Sequence, residues 1–437
     1  MDSLFVSHIF SVISDTPFAL VNKVFEYNAY EIFVKQEFLM MGGILKNNSW
    51  RPFIMKILVL GAGMMGRAIA YDLNKFSNYE EILIGDQDAQ TRSSSKSFLQ
   101  GTHVKVIPLN AEKTSEVKDQ FKKVDVAVSA LPYRFNYELA KLAISTRTHF
   151  IDLGGNNTIV ENERRLFSKA EENEVTIIPD SGLAPGLVSI ITRDIVDNLD
   201  TIDFVKLRVG GLPRYPKPPL NYQIVFSPYG LINEYIEDAL ILDQGKIIEK
   251  KSMTEIEELK FPKPFGTMET FLTSGGCSTL PNTYKDTIRY LDYKTIRYPG
   301  HCEKIKAILD MGFAEETKMM IRDQLVSPRD VFASLLVKNV PTTGEDVVLL
   351  KVLSQGTKQG KQRSREYVMI DYYDTEHDIT AMMRTTAYPV AITAQMIEEG
   401  TIQQHGVFCP EEIIPPTLFF SALKKRGITL TIKDRSV

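Results

Sequence analysis

The sequence predicts an α/β fold, a doubly wound parallel sheet of the Rossmann type with a second α+β domain built on an antiparallel sheet. Two observations lead to this fold class. From Met55 to about Gly186, short apolar runs alternate with segments of helical length, which is typical of a parallel sheet. From about Asp203, longer alternating segments follow one another across turns, which is typical of antiparallel hairpins.

The composition is that of an ordinary globular chain. The 437 residues are 43% hydrophobic and 24% charged, which suffices for one or two cores. A net charge of −4 without a basic block makes nucleic acid an unexpected partner. Cys277, Cys302 and Cys409 form no CxxC pair, and His301 beside Cys302 has no further ligand at metal spacing. We therefore expect neither a metal site nor a disulfide framework.

Residues 1–54 precede the first predicted strand and are interpreted as an N-terminal appendage. Charged residues interrupt their apolar stretches too often for a membrane-spanning helix. Asp2 stands where a secretory signal carries positive charge, so the expected location is cytoplasmic. The segment is either an additional helical element or residues upstream of the functional start, and we favour the second interpretation.

The remaining chain is divided into three parts. Residues 55–186 are predicted to form a dinucleotide-binding domain, residues 187–385 an α+β substrate and oligomerisation domain, and residues 386–437 a helix and tail that pack back on the first domain. A helix with Pro185 at its start is expected to bridge the first two parts. Ser327 and Pro328 give the capping signals of a further helix.

A glycine-rich turn marks the predicted nucleotide site. Gly61, Gly63 and Gly66 form GxGxxG between an apolar strand and a helix, and Asp86 closes the next strand. The first glycine permits a tight turn, the second allows close approach of the pyrophosphate, and the third lets the helix pack on the sheet. The other backbone groups expected to contact the cofactor are those of Met64, Met65, Ala130, Leu131 and Pro132.

The residue at the end of the second strand favours NAD over NADP. A carboxylate at Asp86 can accept hydrogen bonds from the adenosine ribose hydroxyls and would repel a ribose phosphate. Arg92 lies six residues later and could partly offset that repulsion. NAD is therefore the predicted cofactor, and NADP is the less favoured one.

Several polar side chains follow other strand ends and are candidates for chemistry. They are Asp152, Asp180, Arg297, Tyr298 and His301. Each also has a purely structural interpretation as a turn cap, a solvated strand residue or a core residue. His301 follows Gly300 at a predicted helix start, where the positive end of the helix dipole disfavours imidazolium and keeps the ring neutral.

Six motifs taken together resemble the saccharopine dehydrogenase-like family, from Met55 nearly to the carboxyl end. They are GAGMMG, IDLGG, PDSGLAPGL, VGGLPRYPKPPLNY, TSGGCSTL and YKTIRYPGH. The last three are most similar to the lysine 6-dehydrogenase branch. The resemblance implies a bilobal, self-associating enzyme with a small amino-acid substrate. It also implies NAD-dependent oxidative deamination of the lysine side chain, giving ammonia and a semialdehyde that cyclises to piperideine-6-carboxylate.

Within that reaction, five side chains are predicted to act. Arg297 would bind the substrate carboxylate through its two-pronged guanidinium, with Tyr298 and Tyr133 as orienting donors. His301 is the candidate for proton transfer, and Asp152 is the alternative because a carboxylate would also steady an ammonium group.

Two other functions stay open at this stage. Saccharopine reductases and carboxynorspermidine synthases of the same wider family form or break a secondary amine, and they would need a pocket open enough for a second carboxylated substrate. A non-catalytic dinucleotide sensor would share the fold. Against a sensor, the chain keeps TSGG, Arg297, Tyr298 and His301 in its second domain.

Overall fold

The structure is a computed structural model that describes residues 55–436. The predictions for residues 1–54, including the appended element, lie outside the described residues. Among the helices of residues 55–436, none combines the length and the hydropathy needed to cross a membrane.

The first sheet has seven parallel strands in the order β17-β6-β5-β4-β1-β2-β3. The order reverses direction between β1 and β4, which is the crevice where doubly wound sheets bind ligands. The strands are β1 (Lys56–Leu60), β2 (Glu81–Asp86), β3 (Lys105–Pro108), β4 (Val126–Ser129), β5 (His149–Asp152), β6 (Thr176–Ile178) and β17 (Gly406–Val407).

Both faces of this sheet are buried, as the continuous apolar run of β1 requires. Ile57 and Val59 belong to one apolar cluster, whereas Leu58 and Leu60 belong to another on the opposite face. The helices that connect the strands are α1 (Met64–Phe76), α2 (Ala89–Phe98), α3 (Thr114–Phe121), α4 (Asn136–Thr146), α5 (Asn157–Arg164) and α6 (Phe167–Glu172). The predicted doubly wound parallel sheet is confirmed.

The helix after this sheet, α7 (Val188–Asn198), begins later than the sequence predicts. Pro185 was expected at its first position, but Pro185 has an extended backbone with ψ of 164° and Gly186 has φ of 123°. These two residues form a turn, so helical hydrogen bonding is established only after them.

The second sheet has nine strands, with seven in the order β10-β11-β12-β7-β15-β16-β18 and with β8 and β9 attached to β12. It is mixed rather than antiparallel as predicted, because β7 and β12 run parallel. The strands are β7 (Thr201–Pro213), β8 (Ala239–Asp243), β9 (Lys246–Lys250), β10 (Glu257–Lys260), β11 (Thr267–Leu272), β12 (Ile288–Arg297), β15 (Asp346–Lys358), β16 (Lys361–Tyr372) and β18 (Thr431–Ser436).

Helices and a small hairpin complete this domain. The helices are α8 (Pro228–Ile236), α9 (Leu280–Tyr284), α10 (His301–Ile308) and α11 (Pro328–Asn339), and the hairpin joins β13 (Met319–Ile321) to β14 (Gln324–Val326). Ser327 caps α11 through its side chain, as predicted. Apolar side chains of α8, α10 and α11 share one cluster, so these three helices form a single packed unit beside the sheet.

The last 56 described residues contact both domains. Helix α12 (Ala381–Glu398) packs on the first domain, where the Tyr79 hydroxyl donates to the Ala394 carbonyl at 2.7 Å. After α13 (Pro410–Ile413) and α14 (Pro416–Lys425), Arg426 pairs with buried Asp72 of α1 at 2.8 Å. Strand β18, however, pairs with β16 of the second sheet, so the tail does not pack wholly on the first domain as predicted.

Candidate active site

The glycine turn between β1 and α1 is built for close backbone approach. A Cβ atom on Gly61 would lie 2.8 Å from the Ala130 carbonyl oxygen, and Gly61 has φ of 93°. A Cβ atom on Gly66 would lie 1.8 Å from the Gly61 carbonyl oxygen. A Cβ atom on Gly63, in contrast, would have no heavy atom of the other described residues within 4 Å, apart from its two chain neighbours. Helix α1 starts at Met64 without a side-chain cap, which leaves backbone N–H groups available to a phosphate.

Asp86 holds the glycine turn while facing a cavity. Its Oδ2 accepts from the Ala62 N–H at 2.9 Å, and its Oδ1 accepts from the Asp88 N–H at 2.9 Å. The cavity has a volume of about 210 Å³, and its lining includes Gly61, Asp86, Asn110, Leu131 and Pro132. An open glycine, free helix N–H groups and a carboxylate at the strand end fit the pyrophosphate and ribose of a dinucleotide.

The guanidinium of Arg92 is bound to the protein backbone. Its Nη1 donates to the carbonyl oxygens of Asp86 at 2.9 Å and Gln87 at 2.7 Å. A ribose phosphate would therefore compete with two existing hydrogen bonds for Nη1 of this cation, which matters for the choice between NAD and NADP.

A second cavity lies next to the first, beyond Pro132. Tyr133 follows this proline, is 36% exposed and lines a cleft of about 570 Å³. The lining of the cleft contains three carboxylates, those of Glu237, Glu316 and Asp330, and two cations, Lys318 and Arg329. Pro132 lines the first cavity and its chain neighbour Tyr133 lines the second, so adjacent residues after β4 contribute to the two cavities.

Asp152 is buried and does not belong to the lining of the cleft. Its side chain is fully buried, and its Oδ1 accepts from the Gly154 N–H at 2.6 Å. Glu163 and Asp180 are buried nearby, and burial raises the pKa of each of the three carboxyls. The charge of Asp152 raises the pKa values of Glu163 and Asp180 further. Oδ2 of Asp180 accepts from the Ser278 hydroxyl, which links the end of β6 to the second domain.

Arg297 ends β12 and is buried within the second domain. Its Nε donates to the Tyr235 hydroxyl at 2.8 Å, while Nη1 donates to Thr295 Oγ1 at 2.6 Å and the Ile296 carbonyl at 2.9 Å. Nη2 lies 3.7 Å from Glu234 Oε1. The predicted two-pronged grip on a substrate carboxylate would need an unoccupied edge of this guanidinium, and these contacts occupy it.

His301 starts α10 and is also buried. Its Nδ1 lies 3.0 Å from the Leu220 carbonyl, which can only accept, so Nδ1 carries the proton. Its Nε2 therefore accepts from the Tyr235 hydroxyl at 3.0 Å. Burial and the nearby Arg297 charge lower the pKa of His301 to about 3. The ring is neutral, as expected, although burial is the main cause.

Tyr298 points away from this group. Its hydroxyl donates to the Pro213 carbonyl at 3.0 Å, and burial raises its pKa to about 12. The structure thus brings Arg297 and His301 together through Tyr235, and it places Tyr133 alone of the five predicted catalytic residues in the cleft lining. The predicted catalytic roles themselves stay predictions.

Sequence reasoning missed helix α8, which supplies Tyr229, Asn233 and Ile236 to the cleft. A signal was present, because Ser227 followed by Pro228 is a helix start and these three residues recur at helical spacing.

Comparisons with known proteins give the family. The sequence model of one protein family, the saccharopine dehydrogenase NADP binding domain, matches residues 57–178. The sequence model of a second family, the saccharopine dehydrogenase C-terminal domain, matches residues 182–428. The nucleotide-binding domain is therefore one that binds a pyridine dinucleotide.

Two curated relatives illustrate the similarity. The mitochondrial alpha-aminoadipic semialdehyde synthase of Mus musculus is 22% identical, over 87% of this chain and 48% of its own length. Saccharopine dehydrogenase [NADP(+), L-glutamate-forming] of Saccharomyces cerevisiae is 21% identical, over 81% of this chain and 93% of its own. The chain spans about half the length of the mammalian relatives it matches.

A solved structure supports the fold. Apo saccharopine dehydrogenase (L-Glu forming) from Saccharomyces cerevisiae superposes with a TM-score of 0.72 at 20% identity, covering 87% of this chain and 100% of that one. With both family models matched in sequence and the two-sheet architecture shared, the chain belongs to the saccharopine dehydrogenase family.

Proposed function

We propose that the protein is an NAD-dependent oxidoreductase that oxidises the carbon–nitrogen bond of an amino acid, with the side-chain amine of L-lysine as its first candidate substrate. The observation that carries this choice is the charge of the cleft beside Tyr133, whose lining has three carboxylates and two cations. Lysine has one net positive charge at neutral pH, because two ammonium groups outweigh one carboxylate. An acidic cleft favours such a substrate.

NAD is the proposed cofactor, although the yeast relative is named for NADP. Asp86 stands at the ribose end of the glycine turn, and Arg92 is already bonded to two carbonyl groups. A ribose phosphate would thus meet the carboxylate of Asp86, while Nη1 of Arg92 is already bonded to the backbone.

The chain's own groups must hold the substrate, steady its amine and accept a proton. The backbone at Leu131 and Pro132 and the side chain of Tyr133 would hold the substrate carbon against the cofactor. When bound, the nicotinamide supplies the hydride acceptor. The amine, with an ordinary pKa of about 10.4, must lose a proton before hydride leaves the adjacent carbon. Water then adds to the imine, and ammonia leaves.

Carboxylates in the cleft can steady the substrate ammonium group. Glu237 and Asp330 are exposed there and face the same space as Tyr133. Asp152 and His301 remain the candidates for the proton acceptor, and each would have to act through intervening groups because both are buried.

The second candidate function is oxidation of a secondary amine such as saccharopine, and the names of the curated relatives favour it. Saccharopine has three carboxylates and two amino groups, so its net charge is negative at neutral pH. The lining of the cleft has only two cations to receive those carboxylates. On charge grounds lysine is the better match.

The test compares rates of NAD reduction with L-lysine and with saccharopine, in the wild type and in Glu237→Gln. We expect lysine to be the faster substrate and Glu237→Gln to raise its KM by about threefold to tenfold. Glu249→Gln, an exposed residue of β9 outside the cleft lining, is the matched control. Faster turnover of saccharopine, with no effect of Glu237→Gln on lysine, would transfer the assignment to the secondary-amine reaction.

A cytoplasmic location and assembly into a homo-oligomer stay predictions from the sequence and its resemblance. A non-catalytic sensor is the remaining alternative, and tight NAD binding without reduction across a panel of amines would support it.

A further inference from the structure

Helix α8 has two faces with different tasks. Tyr229, Asn233 and Ile236 line the cleft, and their spacing of four and three residues places them on one side of the helix. Leu231 and Tyr235 are buried on the other side, at 2% and 3% exposure. A small rotation of α8 would therefore move the cleft lining as a unit.

The hydroxyl of Tyr235 is the polar anchor of the buried face. It accepts a hydrogen bond from Nε of Arg297 at 2.8 Å. It lies 3.0 Å from Nε2 of His301, which has no proton because Nδ1 donates to the Leu220 carbonyl. The three side chains thus form one directed chain of hydrogen bonds, from the guanidinium through the phenol to the imidazole.

Both ends of this chain are fixed to rigid elements. Arg297 is held on β12 by Thr295 and by the Ile296 carbonyl, at 2.6 and 2.9 Å. His301 is held at the first position of α10 by the Leu220 carbonyl. A neighbouring residue of α8 adds a further contact, because Glu234 Oε1 accepts from the Thr273 hydroxyl at 3.2 Å.

On the side that lines the cleft, α8 is bonded directly to the start of α11. The Tyr229 hydroxyl donates to Asp330 Oδ1 at 2.9 Å, and Arg329 donates to Asn233 Oδ1. The position of α8 consequently determines where Asn233 and its partner Arg329 stand in the cleft.

We propose that Tyr235 is a positioning residue through which Arg297 and His301 set the depth and rotation of α8, and thereby the shape of the amine-binding cleft. Arg297 and His301 act on the substrate through this helix rather than by touching it. The inference rests on the proposed function in one respect, that the cleft beside Tyr133 binds the substrate.

Tyr235→Phe tests the proposal, with Tyr222→Phe as its matched control. Both side chains are buried tyrosines whose rings lie against the Arg297 guanidinium, with ring centres 5.7 and 4.9 Å from its Cζ. The Tyr222 hydroxyl has no hydrogen-bond partner among residues 55–436, whereas that of Tyr235 has two. The two substitutions remove the same atom from similar surroundings, and they differ in the hydrogen bonds lost.

Two measurements are made on the full chain of each variant. The first is amide hydrogen exchange of residues 228–237, which requires no activity. The second is steady-state kinetics with L-lysine and NAD. For Tyr235→Phe we expect exchange in α8 to accelerate by about tenfold and the KM for the amine to rise by about tenfold, with the KM for NAD unchanged. For Tyr222→Phe we expect wild-type values.

The outcomes separate this inference from the proposed function. Equal exchange of α8 in Tyr235→Phe and Tyr222→Phe would overturn the positioning role, and so would equal KM values for the amine. A wild-type protein that does not oxidise lysine would refute the proposed substrate, and exchange would still decide the role of Tyr235. If Tyr235→Phe does not fold, Arg297→Lys removes the Nε donor while keeping the charge, and the same acceleration of exchange in α8 is expected.

Discussion

Gly66 lies so close to Gly61 that a methyl group on Gly66 would stand 1.8 Å from the Gly61 carbonyl oxygen. This contact brings the first turn of α1 against the end of β1, next to Gly61, which lines the same cavity as Asp86 and Pro132. The glycines of this motif are thus needed for the packing of α1 on β1 as well as for phosphate binding.

The first prediction separates these two roles. Gly66→Ala should lower the free energy of unfolding by about 2 kcal/mol or more, because backbone must shift to admit the methyl group. Gly63→Ala has open space around its new methyl group, so it should retain the melting temperature of the nucleotide-free wild type while binding NAD less tightly. Thermal unfolding and NAD titration check both, and equal stability of the two variants would contradict the packing argument.

The second prediction concerns the cofactor. Asp86→Ser removes the carboxylate that we propose faces the adenosine ribose, so the ratio of kcat/KM for NAD to that for NADP should fall by about tenfold to a hundredfold. Asp88→Asn is the control, because this nearby carboxylate caps α2 by accepting from the Thr91 N–H. If NADP already equals NAD in the wild type, Asp86 does not discriminate between them.

The third prediction uses the buried carboxyl of Asp180. Burial, aided by the charges of Asp152 and Glu411, raises its pKa to about 8, whereas the unfolded chain titrates near pH 4. The folded protein then holds a proton that the unfolded chain has released, so its stability falls as the pH rises from about 4 to about 8.

Asp180→Asn should abolish that loss. Between pH 5 and pH 8 the free energy of unfolding of the wild type should fall by on the order of 4 kcal/mol relative to that of Asp180→Asn, because each pH unit between the two pKa values contributes about 1.4 kcal/mol. Denaturant unfolding at the two pH values measures it, with exposed Asp323→Asn as control. A difference between Asp180→Asn and wild type that is the same at both pH values would mean that Asp180 is ionised in the folded protein.

The fourth prediction concerns His301, whose pKa burial lowers to about 3. Below about pH 6.5 the unfolded chain binds a proton at this histidine and the folded protein does not. Stability is therefore complete above that pH and falls with acidification by up to about 1.4 kcal/mol per pH unit. His301→Gln, which stays neutral, should flatten the acid side of the stability curve, and exposed His103→Gln should not. If His301→Gln and the wild type lose stability equally on acidification, the His301 ring is not buried in its neutral form.

Local patterns accounted for most of the fold. The glycine turn, the Asp86 strand end and the Ser327 cap all depend on residues close in sequence, and all are present in the structure. The parallel pairing of β7 with β12 depends on the path of some 70 intervening residues, which periodicity does not encode. The pairing of β18 with β16 was missed for the same reason.

The site was predictable in part, because strand ends reveal which side chains meet at a sheet edge but not what they bond to. Tyr133 and Asp86 face cavities, and both follow directly from their strands. Arg297 and His301 were recognised as unusual, yet their common partner Tyr235 lies more than 60 residues away in sequence. Hydrogen bonds of that separation become visible only once the chain has folded.

Mixing the purified protein with NAD and L-lysine at alkaline pH tests the proposed amine oxidation. Reduced nicotinamide is followed by absorbance, and the product aldehyde and ammonia are trapped and quantified. We expect lysine-dependent reduction of NAD, with semialdehyde and ammonia formed in equal amounts to the reduced cofactor. No reduction with lysine, together with turnover of saccharopine or of an aldehyde with an amino acid and reduced cofactor, would contradict it.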